Sequence, residues 1–101
     1  MYARLVAVHG RTIIELEKDT ILVGRNRDCD VVLGEPTVSA HHCQLRRAPD
    51  GTWSVTDLGS KNGTWVNGIQ VKESQVELGD ELWFTKHCRF RIEAPHRGSL
   101  G

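Results

Sequence analysis

The stretch Asp57 to Gly68, DLGSKNGTWVNG, decides the fold of this 101-residue chain. It contains two Asn-Gly pairs on either side of the strand-forming run Thr64-Trp65-Val66. Asn-Gly pairs favour tight turns, because Gly, and to a lesser degree Asn, tolerates a positive φ. The stretch therefore predicts a strand, a tight turn, a short strand and a second tight turn.

The two pairs predict different tasks. Asn67-Gly68 stands between Trp65-Val66 and Ile69-Gln70-Val71, which is the pattern of a two-residue hairpin and predicts a scaffold turn. Asn62-Gly63 closes the Gly-rich loop that starts at Gly59, and it predicts a polar amide presented at the surface. Because loops held by a rigid sheet carry binding groups, we expect function near Asn62.

The rest of the chain reads as short strands. Turn signals recur about every eight to twelve residues, and no long window sustains a helical period. The pattern predicts an all-β fold, an antiparallel β-sandwich of about ten or eleven short strands, as one domain over residues 1–94 with a tail or linker over 95–101. Apart from the short strands around Asn67-Gly68, the predicted strands are Ala3–His9, Thr12–Leu16, Thr20–Val23, Val31–Leu33, Cys43–Arg46, Trp53–Thr56, Gln75–Leu78, Glu81–Thr85 and Cys88–Glu93.

Charge and composition exclude several classes of protein. Thirteen basic and thirteen acidic side chains cancel, which argues against a general nucleic-acid binder, so any anion site must be local. The N-terminal apolar run is short and is broken by His9 and Arg11, so neither a signal peptide nor a membrane span is expected. Three widely spaced cysteines without a CxxC pair predict reduced thiols in a cytoplasmic protein. The oligomeric state stays open.

Three loops carry the candidate binding residues: Gly24–Arg27, Val38–His42 and Gly59–Gly63. Together they offer a guanidinium, a hydroxyl, an ammonium and an amide, which suit a dianionic phosphate attached to a peptide. Taken singly, Arg25, Ser39 and Lys61 each have an ordinary explanation as solvated or loop-capping residues. The phosphate site therefore depends on the loops meeting.

In their order and spacing these motifs resemble the forkhead-associated (FHA) domain, a β-sandwich that binds phosphothreonine peptides. The family signature of Gly-Arg, Ser-x-x-His, Asn-Gly-Thr and Asn-Gly is matched from Gly24 to Gly68. The resemblance covers Leu22 to Val71 directly, and the strand pattern agrees out to Ala94. It implies an interaction module without catalysis, whose partner is a protein phosphorylated by a Ser/Thr kinase.

Position by position, the resemblance implies that Arg25 and Ser39 hold the phosphate and that Asn62 hydrogen-bonds the main chain of the ligand. Lys61 stands where the family commonly has Thr or Ser, and Ala40 where it often has Arg or another polar residue. We expect Lys61 to point inward and to supply a positive charge in place of the missing hydroxyl.

The other motif residues are expected to support the site without touching the ligand. In this family the position of His42 is structural and ties the loop after Ser39 to its neighbours. The residues expected to support the site beside it are Gly24, Gly63, Thr64, Asn67 and Gly68, of which the glycines and Asn67 are expected to shape turns.

The same residue types permit two other chemistries. Ser39, His42 and Asp57 have the types of a hydrolase triad, but no nucleophile elbow or α/β pattern would hold them. His41-His42-Cys43 with His87-Cys88 has zinc-binding types, but adjacent residues on an extended chain point to opposite faces. We therefore expect no enzyme, no metal site and no cofactor.

Two other binding modes use features of this sequence. Trp53, Trp65 and Trp83 have the chemistry of stacking platforms, but each lies within a strand pattern, so packing is expected. A degenerate FHA-like domain would bind an unphosphorylated partner through the same loop face. Retention of Arg25 and Ser39 argues for phosphate binding.

Overall fold

The computed structural model describes residues 2–95, which form eleven strands and no helix. The predicted sandwich of ten or eleven strands is confirmed, and the predicted tail lies outside the described residues apart from Pro95. Within the described part, no helix is long and apolar enough to cross a membrane. The strands are β1 (Ala3–Ala7), β2 (Ile13–Leu16), β3 (Thr20–Gly24), β4 (Val31–Val32), β5 (Cys43–Arg47), β6 (Trp53–Asp57), β7 (Thr64–Val66), β8 (Ile69–Val71), β9 (Glu73–Val76), β10 (Glu81–Thr85) and β11 (Cys88–Glu93).

The strands form two sheets. One has the order β2-β1-β11-β10-β7-β8 and the other the order β4-β3-β5-β6-β9. The pairings are antiparallel, as predicted, except that β3 and the two-residue β4 run parallel. The end of the loop between them is held against β3, because the Asp30 carboxylate accepts a hydrogen bond from the Leu22 amide of β3 at 2.8 Å. β4 therefore begins beside β3 and follows its direction.

The core lies between the sheets and follows the alternation of the strands. In β11 every second residue is buried, while Arg89 and Arg91 lie on the outer face. Phe84 of β10 and Leu45 of β5 are fully buried and come from different sheets. Each such side chain contributes about 1.5–3 kcal/mol by leaving water, so the core holds the sheets together.

The three tryptophans pack, as the sequence predicts. Trp53 is buried in the core. Trp65 and Trp83 are paired across β7 and β10 on the outer face, with ring centroids 6.1 Å apart. The guanidinium of Arg89 covers the Trp83 ring at 3.7 Å, which occupies the face that a stacking ligand would need.

The edge strand β9 lies earlier than predicted. It spans Glu73–Val76 instead of Gln75–Leu78, and Leu78 is 56% exposed. Its position follows from the pairing with β6, which joins Trp53 to Val76. The chain turns directly afterwards, because the Asp80 carboxylate accepts a hydrogen bond from the Glu77 amide at 2.9 Å.

Candidate functional site

The sheet register brings the three candidate loops to one end of the sandwich. Val23 of β3 pairs with Cys43 of β5, and Cys43 pairs with Asp57 of β6. β3 and β6 end near this row, and β5 begins at it. The loops that follow β3, precede β5 and follow β6 therefore emerge side by side.

Backbone hydrogen bonds fix these loops to one another. The amide of Arg25 donates to the carbonyl of Ser39 at 3.0 Å, and the amide of Asn26 donates to the carbonyl of Ala40 at 3.2 Å. The amide of Lys61 donates to the hydroxyl oxygen of Ser39 at 2.9 Å. The positions of the candidate ligand residues are thus set by the scaffold before any ligand arrives.

The four predicted ligand residues line one open cavity of about 500 Å³. The Arg25 side chain is exposed and makes no hydrogen bond or ion pair with any residue of the described range 2–95. The Ser39 hydroxyl oxygen accepts a hydrogen bond from the Lys61 amide, and its own O–H hydrogen stays available to donate to a ligand. The lining residues are Arg25, Pro36, Thr37, Val38, Ser39, Ala40, Lys61 and Asn62.

Asn62 and Lys61 are both exposed, but of the two side chains only that of Asn62 is hydrogen-bonded within residues 2–95. One amide hydrogen of Asn62 donates to the Thr37 carbonyl at 2.7 Å, which orients the amide and leaves its oxygen and second hydrogen for a ligand. Lys61 borders the 500 Å³ cavity and also a second cavity of about 420 Å³ beside Gln70 and Lys72. Lys61 thus stands on the wall that separates the two cavities.

His42 is fully buried below the loops, and both of its ring nitrogens are hydrogen-bonded. Nδ1 accepts from the Ser39 amide at 3.1 Å, so the proton is on Nε2, which donates to the Gly63 carbonyl at 2.8 Å. Both bonds form only with the neutral ring in this tautomer. The ring therefore joins the loop of Ser39 to the loop of Asn62.

Asp57 also supports the binding loops, a role that the sequence does not predict. From the sequence alone it has only the residue type of a hydrolase-triad acid. Its carboxylate accepts hydrogen bonds from the amides of Gly59 and Ser60 and from the hydroxyls of Ser60 (2.5 Å) and Thr64 (2.7 Å). Partial burial works to raise the pKa of Asp57, but the hydrogen bonds from Ser60 and Thr64 outweigh it, so the pKa lies below the ordinary 3.8. The spacing of Asp57 and Ser60, typical of a side chain that caps a turn, was the available signal.

Gly24 has a different role from the turn predicted for it. It is the last residue of β3, and a Cβ there would overlap the Ala40 carbonyl oxygen. Glycine is needed because two backbones approach closely. Gly63 does lie in a turn, with a φ of 89°, and buried Thr64 follows it.

Asn67-Gly68 forms the predicted hairpin turn between β7 and β8. Both residues have positive φ, 50° and 84°, and Val66 pairs with Ile69 across the turn. The Asn67 side chain also accepts a hydrogen bond from the Glu81 amide at 2.9 Å. This turn therefore stiffens the sheet and lies apart from the cavity.

The structure does not assemble the two rival sites. The Ser39 hydroxyl is bonded to Lys61 and not to His42, and Asp57 is bonded to Ser60 and Thr64, so no triad relay exists. For zinc, both nitrogens of His42 are occupied. Its neighbour Cys43 lies inside the core with no exposed surface.

The fold and the site define a β-sandwich that presents a cationic, donor-rich loop cavity at one end. Residues 21–85 match the model of the FHA domain family. The chain therefore belongs to the FHA domain family, as the sequence motifs suggest.

The chain is similar to several known proteins. It is 38% identical over 80 residues to an oxoglutarate dehydrogenase inhibitor of Corynebacterium diphtheriae, covering 79% of this chain and 55% of the relative. It is 38% identical over 86 residues to the glycogen accumulation regulator GarA of Mycolicibacterium smegmatis, covering 85% of this chain and 54% of the relative. The chain thus spans about half the length of these relatives.

A solved structure from a study of phosphothreonine-dependent FHA domain interactions superposes on this fold with a TM-score of 0.84. The two chains are 26% identical, and the match covers 95% of this chain and 99% of the other. The sandwich described above is therefore the FHA fold over nearly its whole extent.

Proposed function

We propose that this domain binds phosphothreonine segments of partner proteins at the cavity between its three loops, without catalysing a reaction. The observation that carries the proposal is the convergence of Arg25, Ser39, Lys61 and Asn62 on one cavity. The partner is a protein phosphorylated by a Ser/Thr kinase. The solved structure described above, which concerns phosphothreonine-dependent interactions, supports this ligand class.

Each donor has a distinct task. The phosphate carries about −1.5 to −2 charges at neutral pH. Arg25 offers a planar fork to two of its oxygens, and Ser39 donates the hydrogen that Lys61 leaves free. Asn62, already oriented by Thr37, has an amide oxygen and one hydrogen left for the ligand backbone. Since the loops are tied together beforehand, binding requires little further ordering.

Phosphothreonine is preferred over phosphoserine because apolar groups lie beside the donors. Pro36, Val38 and Ala40 contribute to the same cavity as Arg25. Burying the threonine methyl there stabilises the complex by about 0.8 kcal/mol, and fixing the rotamer adds to this.

Residues 1–94 form the binding domain of this proposal. Both relatives described above are named as regulators or inhibitors. We therefore assign the chain a regulatory interaction role. Three free cysteines support a cytoplasmic location, where thiols stay reduced.

The proposal is tested with an oriented phosphothreonine peptide library, with phosphoserine and unphosphorylated libraries as controls. The strongest binding is expected from phosphothreonine peptides, weaker binding from phosphoserine peptides, and none from unphosphorylated peptides. Equal binding of unphosphorylated peptides would instead identify a degenerate domain with a different ligand on the same face.

We predict that Arg25→Ala removes nearly all binding of the selected peptide and leaves the fold intact. Loss of a charge-assisted bond to a desolvated phosphate costs roughly 2–5 kcal/mol. Arg27→Ala is the matched control, because Arg27 is exposed on the same loop but does not line the cavity. Calorimetry that shows the same affinity for Arg25→Ala and Arg27→Ala would contradict the site assignment.

A further inference from the structure

Three side chains of types that can ligate a metal lie close together on the two loops that carry Arg25 and Ser39. Asp28 and Cys29 belong to the loop between β3 and β4, and His41 belongs to the loop between β4 and β5. Their ligand atoms all lie within 4.8 Å of one another. This set shares only His41 with the zinc residues considered from the sequence.

The distances within the cluster are close to those of a metal site. His41 Nε2 lies 3.0 Å from each carboxylate oxygen of Asp28, and Cys29 Sγ lies 3.9 Å from Asp28 Oδ1. Zinc bonds of about 2.0–2.3 Å in tetrahedral geometry place ligand atoms roughly 3.3–3.6 Å apart. Changes of up to about 1.5 Å in these separations, made by the exposed side chains of Asp28 and His41 around the buried Cys29, therefore suffice.

We propose that Asp28, Cys29 and His41 form a zinc site with one oxygen, one sulfur and one nitrogen ligand, and with water in the fourth position. A thiolate and an imidazole favour Zn²⁺ over Mg²⁺ or Ca²⁺, which prefer oxygen ligands. The exposed Asp28 and His41 side chains leave an open path for the ion. Binding breaks the S–H bond of Cys29 and releases the proton to solvent.

An ion pair alone does not account for this arrangement. An exposed His–Asp pair contributes about 0–1 kcal/mol, and it needs no third partner. Yet the thiol of Cys29 is buried beside the pair and points at the Ala40 carbonyl at 3.3 Å. In contrast, the neighbouring carboxylate of Asp30 is already bonded to Lys18 and to the backbone, so it is no ligand.

The zinc site would clamp the two loops that carry Arg25 and Ser39. Cys29 and His41 flank the backbone contact between these loops, in which Asn26 donates to Ala40. A bound ion would join the two loops beside that contact, through coordinate bonds to Asp28 and Cys29 on one loop and to His41 on the other. Zinc is therefore expected to raise the melting temperature of the domain whether or not a peptide is bound.

The test titrates the full chain with Co²⁺, which replaces zinc and reports on its ligands. One equivalent is expected to produce the thiolate charge-transfer band and the visible bands of a tetrahedral site, and Zn²⁺ is expected to abolish them. Cys29→Ser retains a donor to Ala40 and hence the fold, but it should lose the thiolate band. Asp28→Asn and His41→Ala should weaken Zn²⁺ binding by about 100-fold or more, beyond the roughly 10–100-fold loss from removing a residue that only supports a ligand.

His87→Ala is the control, because it removes an exposed histidine that lies outside the cluster, on the loop between β10 and β11. It should bind one equivalent of cobalt with an unchanged spectrum. Absence of the bands in the parent protein, or a thiolate band that persists in folded Cys29→Ser, would overturn the proposal. Thermal melting of each apo variant establishes that it is folded.

Discussion

His42 combines complete burial with two specific hydrogen bonds, so it acts on the site through the fold. We predict that His42→Ala lowers stability by about 2–4 kcal/mol, from two lost hydrogen bonds, a carbonyl left without its donor, and a cavity beside Phe84. Phosphopeptide affinity should fall with it. Urea denaturation and calorimetry measure the two effects, and exposed His87→Ala supplies the comparison. A folding free energy unchanged from the parent would contradict the role of His42.

Lys61 is the residue where this chain departs from its family, and its side chain makes no hydrogen bond or ion pair within residues 2–95. Its backbone bond to Ser39 survives any substitution except proline. We predict that Lys61→Thr retains fold and binding but makes affinity less sensitive to salt, because a hydroxyl contact replaces a charge. Lys61→Glu should abolish binding, since its carboxylate would face the phosphate.

Titrations of the parent and both Lys61 variants measure this at about 0.1 M and about 1 M salt. The screening length falls from about 10 Å to about 3 Å over that range, so a charge contact weakens strongly. Identical affinities for all three proteins would place Lys61 outside the site, on the side of the second cavity.

At the residue scale, the sequence identifies ligand donors better than it identifies their supports. Arg25, Ser39 and Asn62 stand in short local motifs, and the structure brings them to one cavity. Asp57 is different, because its partner Thr64 lies on the other sheet and no local pattern shows that pairing. Long-range hydrogen bonds of this kind depend on the packed sandwich.

At the scale of elements, the hairpin of β7 and β8 depends on one glycine. Gly68 has a φ of 84°, and a Cβ there would touch the Trp83 ring at 3.5 Å. We predict that Gly68→Ala destabilises the domain by about 1–2 kcal/mol, the cost of left-handed backbone for an L-residue. Gly34→Ala is the matched control, because Gly34 has no positive φ and open space around it. Equal melting temperatures for the two variants would contradict this account.

Turn chemistry explains which elements the sequence predicts well. The Asn67-Gly68 hairpin is local, so its residues suffice to place β7 and β8. The parallel pairing of β4 is not local, since it depends on the return of Asp30 to Leu22. The start of β9 at Glu73 likewise follows from its pairing with β6, which no pattern of polar residues reveals.

At the scale of the whole molecule, Asp57 joins the two sheets, because it ends β6 and accepts from Thr64 of β7. Its pKa is lowered in the folded state, so its contribution to stability is present above the ordinary value of 3.8 and is lost as the pH falls through the folded-state pKa. We predict that the parent is more stable than Asp57→Asn at neutral pH and that this difference shrinks below about pH 4.

Denaturation curves of both proteins between neutral and acid pH measure that difference. Asp50→Asn is a comparison on an exposed turn, where the carboxylate bonds one nearby amide and spans no sheets. A stability gap between the parent and Asp57→Asn that stays constant down to acid pH would show that the carboxylate charge is not what joins the sheets.

The central pairing of β1 with β11 has a further consequence. Arg4 lies opposite Glu93, so the start of β1 and the end of β11 lie side by side at the same end of the sandwich. The other end of β11 reaches the loop of Lys86 and His87, which shares a cavity wall with Asn62. The five steps from Cys88 to Glu93, at about 3.3 Å each, separate the two ends by roughly 17 Å. A reporter or surface tether fused before Ala3 or after Glu93 is thus attached at the end of the sandwich away from the binding loops. Attachment at either position leaves those loops facing outward.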